Sequence, residues 1–111
     1  MIVTMPYLSE VSKNSHKWRK TRGTKASVRS WMQLLAIRAE PAKGFQKYDI
    51  GVKGFFWDER RPDIQNLTEV VSDALQKGLG VNDKHFRFRD DGYELGHFDQ
   101  RLEISIEGKE K

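Results

Sequence analysis

Between Ile64 and Leu75 the apolar residues Ile64, Leu67, Val70, Val71, Ala74 and Leu75 recur at intervals of three and four or as adjacent pairs. That spacing sets them on one stripe of an amphipathic helix running from Ile64 to Lys77. Such a stripe is unfavourable in water, so the rest of the chain must supply a surface that covers it. Gly78 stands where a left-handed C-cap of this helix belongs. The segment TKASVRSWMQLLAIRAEP predicts a second helix, with Val28, Trp31, Met32, Leu35 and Ala39 on its stripe. Thr24 or Ser27 is placed to cap it and Pro41 to stop it, while Arg29 and Arg38 lie off the stripe.

The covering surface is written in period two. Ile2–Met5 reads as a short strand, and Pro6 ends it or confines it to an edge. In QKYDIGVKGFFW, Tyr48, Ile50, Val52, Gly54 and Phe56 share one face. KHFRFR alternates through Phe86 and Phe88, and RLEISIEG through Leu102, Ile104 and Ile106. DDG is placed to turn the chain between these two, which makes them antiparallel neighbours. The order strand, helix, strand, helix, strand, strand predicts an α+β domain with a mixed, mostly antiparallel sheet and two helices packed on it. At 111 residues one domain is expected over 1–111, with a basic loop at 9–25 and a charged tail at 106–111. A core this small is often supplemented by oligomerisation.

Composition removes several function classes. There is no cysteine, hence no disulfide and no thiolate metal site. No apolar run approaches the roughly 20 residues of a membrane span. MIVTMPYLSE lacks the charged start and apolar stretch of a signal peptide, so the expectation is a cytoplasmic protein with no membrane partner. His16, His85 and His97 share no ligand spacing, no serine has a neighbouring acid–histidine pattern, and no glycine-rich phosphate loop is present. No small-molecule cofactor is expected.

Charge is distributed unevenly. From Val11 to Ala39 there are eight cations, Lys13, Lys17, Arg19, Lys20, Arg22, Lys25, Arg29 and Arg38, and no acid. The chain's net +4 therefore leaves the remainder at −4. A basic third beside an acidic remainder suggests a polyanion partner together with chemistry that needs carboxylates. The bland alternative is a solubilising loop. Trp18 within the loop is a candidate for stacking on an unpaired base, and Trp57 is a candidate for either stacking or packing; Trp31 belongs to the core stripe.

Asp63 and Asp83 bracket the helix from Ile64. As an N-cap, Asp63 would accept bonds from the first free N–H groups and face the positive end of the helix dipole, which accounts for an acid there without catalysis. A helix of this length spans about 20 Å, so spacing alone does not bring Asp83 back to Asp63. Arg60 and Arg61 would offset carboxylate repulsion beside Asp63 or draw in a phosphate; in the alternative they are a solvated turn.

RRPDIQNLTEVVSDALQKGLGVND resembles the signature segment of RusA-type Holliday junction resolvases, phage- and prophage-associated endonucleases that cut four-way DNA junctions. The family pattern is a basic approach, Asp-x-Asp-Asn, a lysine four residues after the second Asp, Asp-Ala-Leu, and an Asp about one turn past the helix. Asp63, Asn66, Leu67, Asp73 to Leu75, Gly78 and Asp83 match in order. SKNSHKWRKTRG is similar to the family's early loop and RLEISIEG to its final strand. The resemblance implies a homodimer, a branched DNA substrate, and a divalent metal held by acidic residues, usually Mg²⁺ with Mn²⁺ as the alternative. It implies that Asp63 and Asp83 are metal ligands. Two positions depart from the motif: Gln65 replaces the middle Asp and Glu69 the lysine. Gln65 offers a poorer neutral ligand to a hard cation, whereas Glu69 is placed to restore a third carboxylate; otherwise Glu69 is a solvated helix acid. The expected DNA-binding residues are Lys13, Asn14, Lys17, Arg19, Lys20, Arg22, Lys25, Arg60 and Arg61, with Asn66 supporting the site. The alternative is a RusA-like junction-binding protein that no longer cuts.

Overall fold

The structure is a computed structural model and describes residues 1–8, 11, 26–59, 62 and 64–110. The element order is β1 (Ile2–Pro6), α1 (Ala26–Ala39), β2 (Lys47–Phe55), α2 (Thr68–Leu79), β3 (Phe86–Glu94) and β4 (Arg101–Lys109). Short 3₁₀ turns at Glu40–Ala42, Ile64–Leu67 and Asp83–His85 join them. The four strands form one sheet in the order β1-β4-β2-β3. The pairs β1–β4 and β4–β2 are antiparallel and β2–β3 is parallel. The fold is α+β, with a mixed, mostly antiparallel sheet.

Both helical stripes and alternate strand residues meet in one core. Val28, Trp31, Leu35 and Ala39 of α1 join Val70, Val71, Ala74, Leu75 and Leu79 of α2, and Ile64 and Leu67 of the turn before it. They cover Val3 and Met5, Tyr48, Ile50 and Val52, and Leu102, Ile104 and Ile106. The helices thus lie on one face of the sheet. Each fully buried leucine or isoleucine contributes on the order of 1.5–3 kcal/mol relative to exposure. The two large amphipathic side chains in this core satisfy their polar ends. The Tyr48 hydroxyl donates to the Ala42 carbonyl at 2.9 Å and accepts from the Phe45 amide at 3.1 Å. Trp31 Nε1 donates to the Pro6 carbonyl at 2.7 Å, which ties α1 to the end of β1.

The expectation that the last two strands are antiparallel neighbours is corrected. β4 lies between β1 and β2, and β3 is an edge strand on the far side of β2. Their inward residues explain the choice. Leu102, Ile104 and Ile106 are all buried, whereas Phe86 and Phe88 are only partly so, and β3 alternates them with exposed Arg87 and Arg89. The more apolar strand takes the centre and the charged one the edge. DDG is not a turn. Val52 faces Asp90 and Gly54 faces Tyr93, so β3 advances three residues while β2 advances two. Gly92, at φ 88°, takes the left-handed conformation of this bulge, and its amide donates to Asp90 Oδ1 at 2.8 Å. The charged tail from 106 is also corrected. Ile106 is core, and β4 pairs with β2 through Gly108 and Lys109.

Helix ends differ from expectation in two places. Ser27 lies inside α1 rather than at its cap; Thr24 lies outside the described residues. The left-handed C-cap of α2 is Gly80, at φ 73°, and not Gly78. Gly78 is needed for a different reason. A Cβ added there would lie 2.5 Å from the Ala36 carbonyl oxygen, so this is where the α2 backbone comes up against α1. Gly78→Ala gains up to about 1 kcal/mol of helix propensity but forces the helices apart, a cost of roughly 1–3 kcal/mol. The expected outcome is a net loss of stability, read as a lower urea midpoint with unchanged helix content.

Candidate active site

The first turns of α2 and the start of β3 form the floor and walls of an open depression of about 380 Å³, lined by Thr68, Glu69, Ser72, Asp73, Asp83 and Phe88. Helical spacing explains three of these. Glu69, Ser72 and Asp73 stand three and four residues apart and share one flank of α2. That flank is polar because the opposite one, Val70, Val71, Ala74 and Leu75, is spent on the core.

Asp83 arrives by a chain reversal. Gly80 ends α2 in the left-handed conformation, its amide bonded to the Gln76 carbonyl at 3.0 Å. The Asn82 side chain then accepts from the Lys84 amide at 3.0 Å, and the Asn82 carbonyl accepts from His85 N–H at 3.0 Å. This caps the 3₁₀ turn that opens with Asp83. Asp83 therefore sits in a turn before β3. β3 then runs back alongside β2, which brings Phe88 to the wall of the depression.

Of the expected site residues, Glu69 and Asp83 line this one depression. Asp63 lies outside the described residues, and so do Lys13, Asn14, Lys17, Arg19, Lys20, Arg22, Lys25, Arg60 and Arg61, together with His16 and Trp18. Gln65 is exposed in the 3₁₀ turn, where its carbonyl accepts from Thr68 Oγ1 at 2.9 Å, and it is not among the lining residues. Asn66 is half-buried in the same turn. The additional residues are Asp73, Ser72 and Thr68. For Ser72 and Asp73 the signal was present in the sequence as the i+3 and i+4 partners of Glu69, whereas Thr68 directly precedes it and carries no such spacing; only the position of Asp83 shows which flank of the helix matters.

Carboxylates and hydroxyls are hard oxygen donors, the kind that Mg²⁺ or Mn²⁺ accepts and softer ions do not prefer. Among the described residues, no group of three His, Asp or Glu side chains closes around a single point. The depression carries hard oxygen donors in Glu69, Asp73 and Asp83, and Asp63 lies outside the described residues. Neither a protein-family model nor a curated protein sequence matches this chain.

Elsewhere, Trp31 is buried and Trp57 is exposed. His97 Nε2 lies 3.2 Å from Glu94 Oε1, and Lys53 Nζ lies 3.0 Å from Glu94 Oε2. Hydrogen bonds from Lys53 and His97 hold the Glu94 carboxyl below its ordinary range. Glu69 and Asp83 are both exposed. Glu69→Gln and Asp83→Asn should each shift unfolding free energy by no more than about 0.5 kcal/mol, measured by urea titration. A larger loss would assign them to architecture.

Proposed function

We propose that the protein is a metal-dependent, structure-selective DNA endonuclease of the RusA type, acting on four-way junctions as a homodimer. The observation that carries the proposal is that Glu69 and Asp83, one at each end of the motif helix, line the same depression. That depression lies on the segment whose sequence resembles the RusA signature. The basic stretch from Lys13 to Lys25 supplies the charge needed to grip phosphates.

In this reading Asp63, Asp83 and Glu69 hold Mg²⁺ or Mn²⁺. A bound divalent cation supplies a Lewis acid for the phosphoryl oxygen and lowers the pKa of a bound water. The residues of the chain do the rest. The carboxylates fix the cation at one wall, and Arg60 and Arg61 draw in the scissile phosphate and offset the carboxylates' mutual repulsion. A two-fold dimer presents two such walls for symmetric incision. A second reading is favoured by the motif departures at Gln65 and Glu69: a junction-binding protein without a cutting centre.

A labelled four-way junction with and without Mg²⁺ or Mn²⁺ separates the two. Metal-dependent product supports the nuclease, tight binding without product supports the binder, and absence of both sinks the pair. For the nuclease, Asp63→Asn and Asp83→Asn abolish cleavage while the fold holds, because at position 63 Asn caps a helix about as well as Asp and Asp83 is exposed. Gln65→Asp raises cleavage if the missing carboxylate is limiting. If Glu69 already fills that place, Gln65→Asp does little and Glu69→Gln is the damaging change.

Binding is tested separately. Neutralising Lys17, Arg19, Lys20 and Arg22 together should weaken binding to junction and duplex alike. It should also flatten the salt dependence by up to about 0.9 log units per lost phosphate contact. Unchanged affinity at moderate salt would mean that the loop only solubilises.

A further inference from the structure

At the end of the sheet remote from the β2–β4 termini Lys47 and Lys109, the chain leaving β3 crosses the end of β2 to reach β4. The crossing is pinned from both sides. Gly96 N–H donates to the Trp57 carbonyl at 2.9 Å and His97 N–H to the Phe56 carbonyl at 3.0 Å. Trp57 N–H donates to Gln100 Oε1 at 3.0 Å, and Tyr7 N–H to the Gln100 carbonyl at 3.0 Å. On this fixed backbone the rings of Trp57 and Phe98 stack at 4.3 Å and 15°. They do so in water: Phe98 is 86% exposed and Trp57 45%.

We infer that the Trp57–Phe98 pair is the centre of a two-fold interface with a second copy of this chain. The inference deepens the dimer of the preceding proposal by naming its surface, and it rests on that reading only for the use to which the dimer is put. Taking roughly 200 Å² for an aromatic side chain, the pair leaves about 260 Å² in water, about a third of the ~800 Å² per partner in a standard interface. Because the backbone is already pinned, covering the rings costs little ordering entropy.

The charges around the pair favour a second copy over a polyanion. Arg101 Nη1 contacts Asp99 Oδ1 at 3.1 Å, and Lys53 and His97 both contact Glu94. Trp57 and Phe98 are each followed directly by an acid, Asp58 and Asp99. Among the described residues this rim carries both signs in near balance, so it matches itself under two-fold rotation more readily than it attracts a polyanion. Another apolar surface is the groove between the helices, lined by Arg29, Met32, Gln33, Ala36, Ile37 and Lys77. Its lining has cations and no carboxylate, so a two-fold copy would set like charges against each other. The β1 edge is closed to strand pairing by Pro6 and by Arg38 Nη1, which donates to the Thr4 carbonyl at 2.6 Å.

The test is the mass of the full chain by light scattering and sedimentation at micromolar protein, without DNA or metal. Wild type should sediment as a dimer. Phe98→Ser and Trp57→Ser should each raise the dimer dissociation constant by roughly 30-fold or more, as expected for a central aromatic anchor. Circular dichroism should be unchanged, since Phe98 is solvent-exposed in the single chain. Ile37→Ser, in the helix groove, should leave the mass at that of a dimer. A monomeric wild type overturns the inference, and so does a dimer that survives both aromatic substitutions. A monomeric wild type whose Phe98→Ser form loses affinity for junction DNA would reassign the pair to base stacking, which also overturns it. A dimer dissolved by Phe98→Ser in a protein that never cuts a junction would leave the interface standing and remove the nuclease.

Discussion

Strand β4 holds the molecule together. It pairs with β1 from Arg101 to Ser105 and with β2 from Arg101 to Lys109, so the last strand of the chain joins its first to its middle. Removing it would leave β1 without a hydrogen-bonding neighbour and would uncover the helix-facing row Leu102, Ile104 and Ile106. A central strand with two paired edges and one apolar face is the least replaceable element of a small sheet, because its backbone groups have no water to turn to. The contacts Met1 N–H₃⁺ to the Ile106 carbonyl at 3.3 Å and Ile106 N–H to the Met1 carbonyl at 2.8 Å extend the same pairing to the first residue.

From that frame the depression follows. With β4 occupying the space between β1 and β2, the strand after α2 can pair only at the open edge of β2. It does so in parallel, the arrangement that requires a crossover helix. The crossover helix is α2, and its return through Gly80 and the Asn82-capped turn carries Asp83 back to the flank that bears Glu69 and Asp73. The close approach of Gly78 to Ala36 fixes α2 against α1 and hence the flank that faces away from the core. The acids Glu69, Asp73 and Asp83 therefore sit on solvent-facing surface supported by a rigid element, where charge is cheap to maintain.

The same strand order accounts for the exposed aromatic pair. The connection from an edge strand to a central one must pass over the end of the strand between them, and here it passes over Trp57. Phe98 is carried to the stack by that crossing. Neither ring belongs to the core cluster, and on the pinned loop Phe98 stays mostly and Trp57 partly in water.

The sequence by itself determined the types of the elements and which side of each is apolar. The stripes of α1 and α2, half-buried Met32 apart, and the rows Tyr48, Ile50, Val52 and Leu102, Ile104, Ile106 are buried as their periods predict, because period is a consequence of local backbone geometry. Pro6 at an edge strand and Trp31 in the core were legible for the same reason. Tertiary structure alone decided that β4 enters between β1 and β2, that DDG bulges instead of turning, and that Gly78 is a contact and Gly80 the cap. It also decided that Asp83 shares a wall with Glu69 and Asp73 while Gln65 does not. These outcomes depend on which strands compete for the most apolar position and on pairings far apart in the chain, and no local spacing carries that information.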